Sequence, residues 1–184
     1  MKVLIIFLST LLLFTINSCD KQHSDSSSNE TTFENLHGQS GVVDEDSKPH
    51  ILQIAINSPD HSTLVAGVQA AELENVLVNP GPLTVFAPTN AGFDKLPDGA
   101  LDDLLKPENK NKLARIITSH AAPGTFDLEL LKDGSKLYMA TGQYLDVEVK
   151  DGDTYVDGVK ILGSVDASNG IVHVIDEVFL FAAE

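Results

Sequence analysis

The chain has 184 residues, which suffices for one ordinary domain with flanking segments, and 42% of them are hydrophobic, which excludes a wholly disordered protein. Acidic residues outnumber basic residues by 27 to 12, so the formal net charge of −15 repels nucleic acid phosphates and argues against a nucleic-acid partner. The single Cys rules out an intramolecular disulfide, so the fold must depend on its own hydrophobic core.

The first 19 residues have the features of an export signal. A positive charge precedes an apolar run over residues 3–14 that is too short to span a bilayer. Cys19 follows an Ile-Asn-Ser triplet, and this arrangement resembles the lipobox of bacterial lipoproteins. The resemblance implies that the thiol of Cys19 carries a diacylglyceryl group, whose acyl chains hold the protein at a membrane of the bacterial cell envelope. The alternative is an ordinary signal peptide that happens to contain a Cys.

Residues 20–47 are polar, rich in Ser and poor in aliphatic side chains. Such a segment cannot bury enough apolar surface to offset the entropy lost on ordering. It is therefore predicted to be a flexible tether between the lipid anchor and one folded domain, which takes up residues 48–184.

The folded domain is predicted to have helices in its first half and mostly strands in its second. Apolar spacing predicts helices over 51–56, from a cap at Ser62 or Thr63 to about residue 73, over 101–105 and over 110–118. Strands are predicted over 83–87, 137–139, 144–149 and 171–175, with tight turns at Asp151-Gly152, Asp157-Gly158 and Asn169-Gly170 and a break over 121–124. This order favours the α+β class over a βαβ series.

Two segments of the domain are similar to the signature boxes of the fasciclin domain family. The first box is Thr84-Val85-Phe86-Ala87-Pro88-Thr89-Asn90, followed by a short helix with Phe93. The second is Asn169-Gly170-Ile171-Val172-His173-Val174-Ile175-Asp176. Between them, Ser119-His120 stands where the family usually has Tyr before the His. The similarity extends from about His50 to Ala182 and implies a single domain with a wedge-shaped β-sheet core and helices packed around it.

The residues of the first box have an ordinary structural explanation. Phe86 and Phe93 are predicted to lie in the core, and Pro88 leads the chain out of the sheet. Thr89 is suited to cap the following helix, because its hydroxyl accepts from free N–H groups. The box is therefore predicted to serve folding, with a ligand-facing role for Asn90 as the alternative.

His120 and His173 are predicted to be hydrogen-bonded core residues rather than ligands. Strand alternation places His173 on the opposite face from Val172 and Val174. The alternative is a zinc site formed by His120, His173 and Asp176. Neither local spacing matches a known zinc pattern, so no metal is expected there.

Residues 151–158 superficially resemble a calcium-binding loop. An EF-hand requires Gly where Val156 stands and a closing Glu where Leu162 stands. Two hairpin turns are therefore the preferred explanation, and weak surface calcium binding stays open.

The sequence lacks a nucleophile elbow, a Walker loop, a dinucleotide-binding Gly motif and a zinc-protease motif, so no catalytic residue or cofactor is expected.

The family resemblance implies cell adhesion: a non-catalytic, envelope-anchored module that contacts surface proteins or polysaccharide. Two alternatives are a periplasmic protein that binds a small ligand or stabilises a complex, and an unrecognised hydrolase. The former predicts a concave apolar pocket with a few polar groups; the latter predicts a titratable pair with shifted pKa values in a cleft.

Overall fold

The computed structural model describes residues 48–180. The predicted signal peptide (1–19) and tether (20–47) lie outside the described residues, so both stay predictions. Between residues 48 and 180, no helix is long and apolar enough to cross a membrane.

The helices of the described region gather in its first half, as predicted. They are α1 (Ile51–Ile56), α2 (Ser62–Ala70), α3 (Glu74–Val78), α4 (Asn90–Phe93), α5 (Ala100–Leu104) and α6 (Lys110–Thr118), with single 3₁₀ turns at Pro59–His61 and Pro107–Asn109. The predicted cap of the second helix at Ser62 or Thr63 is wrong. The 3₁₀ turn at Pro59–His61 leads directly into α2, so Ser62 is already helical and His61 precedes it without a side-chain cap.

Seven strands form one mixed sheet. They are β1 (Leu83–Pro88), β2 (Ala121–Pro123), β3 (Lys136–Tyr138), β4 (Tyr144–Lys150), β5 (Asp153–Val156), β6 (Val159–Ala167) and β7 (Gly170–Ile175), in the order β2-β1-β7-β6-β5-β4-β3. Only the β1–β7 pairing within this sheet is parallel. The Ala140 N–H donates to the Ala121 carbonyl at 2.8 Å, so the two ends of the sheet approach each other and the sheet curls toward a barrel.

The predicted break at residues 121–124 is in part a strand. Ala121 and Ala122 are buried and pair antiparallel with β1. β2 is the first strand in the order of the sheet. Pro123 can therefore be its last residue, because an edge strand needs no backbone N–H donor on the side that lacks a neighbouring strand. The small side chains give no strand signal of their own, and the pairing comes from tertiary contact with β1.

The core has two large hydrophobic clusters on opposite sides of the central strands, and a small third cluster of Ala71, Leu104 and Leu113. The first lies on the concave side of the sheet and includes Phe86, Met139 and Ile175. The second lies between the sheet and the helices and includes Val85 and Val172. The strands β1 and β7 contribute to both clusters, so they are buried on both faces. This arrangement confirms the predicted α+β domain with helices packed around a sheet.

Candidate functional site

The two signature boxes form the parallel strand pair at the centre of the fold. Residues of β1 lie opposite residues of β7, with Leu83 opposite Gly170, Phe86 opposite His173 and Pro88 opposite Ile175. Phe86 is fully buried, as predicted, whereas Phe93 is only half-buried and packs at the edge of the helix-side cluster.

Thr89 and Asn90, at the end of the first box, hold the helices α4 and α2 in place by hydrogen bonds. The Thr89 hydroxyl accepts from the Gly92 N–H at 3.2 Å, which confirms the predicted cap of α4. The Asn90 amide accepts from the Thr63 N–H and donates to the Pro59 carbonyl and the Ser62 hydroxyl, each at 3.0 Å. Asn90 therefore ties the start of α2 to the sheet, and this contact set favours a structural role over ligand binding.

The buried polar groups of both boxes hold the loop that follows β2. The Thr84 hydroxyl donates to the Gly124 carbonyl at 2.8 Å and accepts from the Phe126 N–H at 2.9 Å. His173 Nε2 donates to the Phe126 carbonyl at 2.7 Å. Because a carbonyl only accepts, the proton of His173 lies on Nε2, and Nδ1 accepts from the Ser164 hydroxyl at 2.7 Å.

His120 has the opposite tautomer. Its Nδ1 donates to the Ile116 carbonyl at 2.8 Å, and its Nε2 accepts from the Phe179 N–H at 2.9 Å. Burial lowers the pKa of His120 to about 4, and it also lowers the pKa of His173. Both rings are therefore neutral at neutral pH, as hydrogen-bonded core residues should be.

An aromatic ladder connects the two histidines through the core. The Phe86 ring lies 5.3 Å from His173 and 5.7 Å from Phe179, and Phe179 stacks on His120 at 4.8 Å. His120, His173 and Phe86 were predicted from the sequence to be core residues. Phe179 was not predicted, because no recognisable sequence signal marks its position after the second box. These contacts make the boxes one packed unit.

The zinc alternative has no support in the geometry. His120 and His173 use both ring nitrogens in hydrogen bonds, and Asp176 pairs with Lys95 at 3.2 Å. No group of three or more metal-binding side chains is found in residues 48–180, including the acidic turns. At those turns, positive φ angles at Asp151 and Asp157 and at the Gly after each are typical of the predicted two-residue hairpins.

The predicted Asn169-Gly170 turn is shifted by one residue. Ser168 and Asn169 form the turn, and Gly170 is the first residue of β7, paired with Ala167. The Asn169 amide accepts from the Ile51 N–H at 3.0 Å and donates to the carbonyls of Leu77 and Asn79. Asn169 therefore fastens two helices to the end of the last hairpin.

The hydrolase alternative requires a serine beside a histidine base, and two such hydrogen bonds occur at 2.7 Å, Ser164–His173 and Ser58–His61. Burial lowers the pKa of His61, and no carboxylate within residues 48–180 forms a hydrogen bond with its ring. Burial makes His173 a weak base, and its second nitrogen bonds a carbonyl rather than a carboxylate. Ser164 is exposed on β6. In the adjacent Ser119–His120 pair, the hydroxyl donates to the Ile116 carbonyl at 2.6 Å instead of to the imidazole. None of these three pairs has a basic histidine oriented by a carboxylate, so none is arranged for nucleophilic catalysis.

Two features remain on the outside of the domain. The first is an outward-facing group of Tyr138, Tyr144 and Tyr155, called the tyrosine face below. Tyr138 and Tyr144 lie directly opposite each other on β3 and β4, with ring centroids 5.1 Å apart. Tyr155 on β5 lies opposite Glu148, which shares the outer face of β4 with Tyr144. These are all the tyrosines of the chain.

The second feature is a cavity of about 250 Å³, called the α6 cavity below. It lies between one face of α6, the turn from β3 to β4 and the segment after β7. Its lining residues are Lys112, Arg115, Ile116, Ser119, Thr141, Gln143 and Leu180.

Comparison with known proteins agrees with this architecture. The family model described as Fasciclin domain matches residues 59–181. The chain is 44% identical over 146 residues to the protein sll1483 of Synechocystis, which covers 77% of this chain and 81% of that protein. It is 40% identical over 132 residues to a second Synechocystis protein, sll1735, which covers 72% of this chain and 98% of that protein.

A solved structure shares the fold. The FAS1 domain pair from the insect cell adhesion molecule fasciclin I matches with a TM-score of 0.66 at 19% identity, over 72% of this chain and 51% of that chain. The chain thus spans about half of a solved chain that holds two such domains. The folded part is an α+β domain of the FAS1 type, and the chain belongs to the fasciclin domain family.

Proposed function

We propose that the protein is a non-catalytic binding module, lipid-anchored at the bacterial cell envelope, that contacts surface proteins or polysaccharide through the tyrosine face. Adhesion is supported by the fold, which is shared with an insect cell adhesion molecule. Export and anchoring are supported by the resemblance of the residues before Cys19 to a lipobox.

Exposure of the tyrosine pair is the observation that carries this proposal. Tyr138 and Tyr144 are 47% and 64% exposed, so about half of each side chain is open to a partner. Tyrosine provides a large apolar surface with a polar tip and loses little conformational entropy on binding, which makes it a frequent residue of binding surfaces.

The surroundings of the pair are polar and charged. Lys136 and Asp146 form an ion pair at 2.6 Å beside it. Further ion pairs join Lys150 to Glu148 on β4 and Lys160 on β6 to Asp153 on β5. Apolar rings within a polar rim are the usual anatomy of a protein-binding surface. Individual contacts through so small a face are weak, so many anchored copies must act together.

Removal of the tyrosine pair is expected to weaken adhesion strongly without unfolding the domain. In cells that carry the full chain, Tyr138→Ala/Tyr144→Ala should lower adhesion to cells that lack the protein by about tenfold or more, because loss of a binding hot spot costs about 2 kcal/mol. The matched control is Val76→Ala/Leu130→Ala, which removes two equally exposed apolar side chains elsewhere. Equal loss in both variants, or none in either, would contradict a role for this face.

The lipid anchor gives a separate prediction. Cys19→Ala removes the only thiol of the chain, so the protein should move from the membrane fraction to the soluble fraction and lose labelling by a radioactive fatty acid. Ser26→Ala is the control and should retain both. Full membrane retention of Cys19→Ala would show that another feature holds the protein in place.

A further inference from the structure

The α6 cavity has an apolar interior and a cationic rim. Positions 112, 115, 116 and 119 recur at the spacing of one helix face. Lys112 and Arg115 are exposed, Ile116 is half-buried and Ser119 is buried, so the charged side chains lie at the outer end and the closed end is uncharged. Leu180 adds an exposed apolar side chain to the wall.

The two cations of the rim have no carboxylate partner. Across residues 48–180, the other basic side chains form ion pairs with carboxylates, except for Lys132. In a strongly acidic chain, two unpaired cations at one cavity are unexpected. Lys112 lies near enough to Asp103 to help lower the pKa of that carboxyl, but Asp103 forms its ion pair with Lys106 at 2.9 Å.

Most of the remaining polar groups that line the cavity already have hydrogen-bond partners. The Ser119 hydroxyl donates to the Ile116 carbonyl, and the Thr141 hydroxyl contacts Gln143 Oε1 at 3.4 Å. The open hydrogen-bonding capacity is therefore that of donors: the Arg115 guanidinium, the Lys112 ammonium and the Gln143 amide. Such a set favours a ligand rich in acceptors, and a carboxylate matches a guanidinium in both charge and geometry.

We propose that the α6 cavity binds a small organic anion with a short aliphatic body, of the medium-chain carboxylate class. The aliphatic part occupies the space beside Ile116 and Leu180, and the carboxylate bonds Arg115 and Lys112 at the rim. A cavity of about 250 Å³ lies at the small end of ligand sites, so it admits a short chain and not a whole diacyl lipid. The negative field of the whole protein opposes anions at long range, but physiological salt screens it beyond about 8 Å.

The domain can be tested in isolation. The matching region makes up almost all of the relative sll1735, so a homologous domain exists with little flanking sequence, and the fragment 48–184 leaves out Cys19. Sodium octanoate is the probe, with octanol as its uncharged counterpart, and isothermal titration calorimetry measures Kd. Arg115→Gln is compared with Lys132→Gln, which removes one unpaired cation that does not line the cavity.

Octanoate is expected to bind one saturable site, and octanol is expected to bind at least about tenfold more weakly. Arg115→Gln should raise the Kd for octanoate about tenfold, as expected for loss of one charge-assisted hydrogen bond, and Lys132→Gln should change it less than about twofold. No saturable binding to about 10 mM octanoate would overturn the proposal. Equal binding of octanol, or equal effects of the two variants, would also overturn it.

Discussion

Gly170→Ala is expected to be among the most destabilising single substitutions in the domain. A Cβ atom at position 170 would lie 1.8 Å from the Leu83 carbonyl oxygen and 2.9 Å from the Leu83 nitrogen, both in the backbone of β1. The φ of Gly170, 154°, is also one that L-residues rarely adopt. Because neither strand can move without breaking the central parallel pair, the cost should reach about 4 kcal/mol or more, a large part of the stability of an ordinary domain.

Urea denaturation of the fragment 48–184 measures this cost. Gly163→Ala is the matched control, because it lies on the neighbouring strand β6 and a Cβ there meets no atom within 4 Å. The control should stay within about 1 kcal/mol of the parent domain. A Gly170→Ala domain as stable as the control would mean that β1 and β7 do not approach as closely as described.

Acidification is expected to destabilise the domain well before its carboxylates titrate. His120 has a pKa of about 4 when folded and 6.5 when unfolded, because burial disfavours the imidazolium. Between these values the unfolded state binds more protons, so the stabilisation is complete above pH 6.5 and is lost as the pH falls toward 4. At 1.36 kcal/mol per pKa unit, the free energy of unfolding should drop by about 2 kcal/mol between pH 7.5 and pH 5 from His120 alone.

Two measurements check this effect. Urea denaturation at several pH values should give a stability that falls from neutral pH to pH 5, and His120→Gln should flatten the fall by about 2 kcal/mol although it lowers stability at neutral pH. His173, His61 and His50, whose pKa values burial also lowers, contribute to the remaining slope. If the variant does not fold, NMR titration of the native His120 ring decides: a ring that protonates near pH 6.5 would contradict its buried, neutral state.

The sequence predicted the features that depend on local chemistry. The apolar spacing placed α1, α5 and α6 within a residue of their observed bounds, and the Asp-Gly pairs gave the hairpins around β5. The cap at Thr89 was also predictable, since it needs only one hydroxyl and the free N–H groups of the next turn.

Features that depend on distant partners were not predictable. β2 is formed from Ala121, Ala122 and Pro123, which have no strand preference, and it exists because β1 offers them an edge. The partners of His120 and His173 are main-chain groups of Phe179 and Phe126, and a main-chain group carries no sequence signal. The α6 cavity is lined by a helix and by a turn more than 20 residues later in the chain. Which side chains line it depends on the curled sheet, so the sequence alone does not show them.

The side chains inside the domain and those on its surface have different roles. The side chains of the two boxes are occupied by packing, caps and hydrogen bonds, whereas Tyr138 and Tyr144 of the tyrosine face are exposed and the cations at the rim of the α6 cavity have no carboxylate partner. We infer that binding depends on these outer groups, and that the boxes act on binding only through the amount of folded protein.

The most direct test is adhesion per folded molecule. Cells carrying the full chain with Gly170→Ala and cells carrying Tyr138→Ala/Tyr144→Ala are compared with wild type, after correction for folded protein by protease resistance at the cell surface. We expect the Gly170 variant to lose folded protein but keep wild-type adhesion for each folded molecule, and the tyrosine variant to show the reverse. A Gly170 variant that stays folded but does not adhere, or a tyrosine variant that adheres normally, would contradict the division between the boxes and the surface.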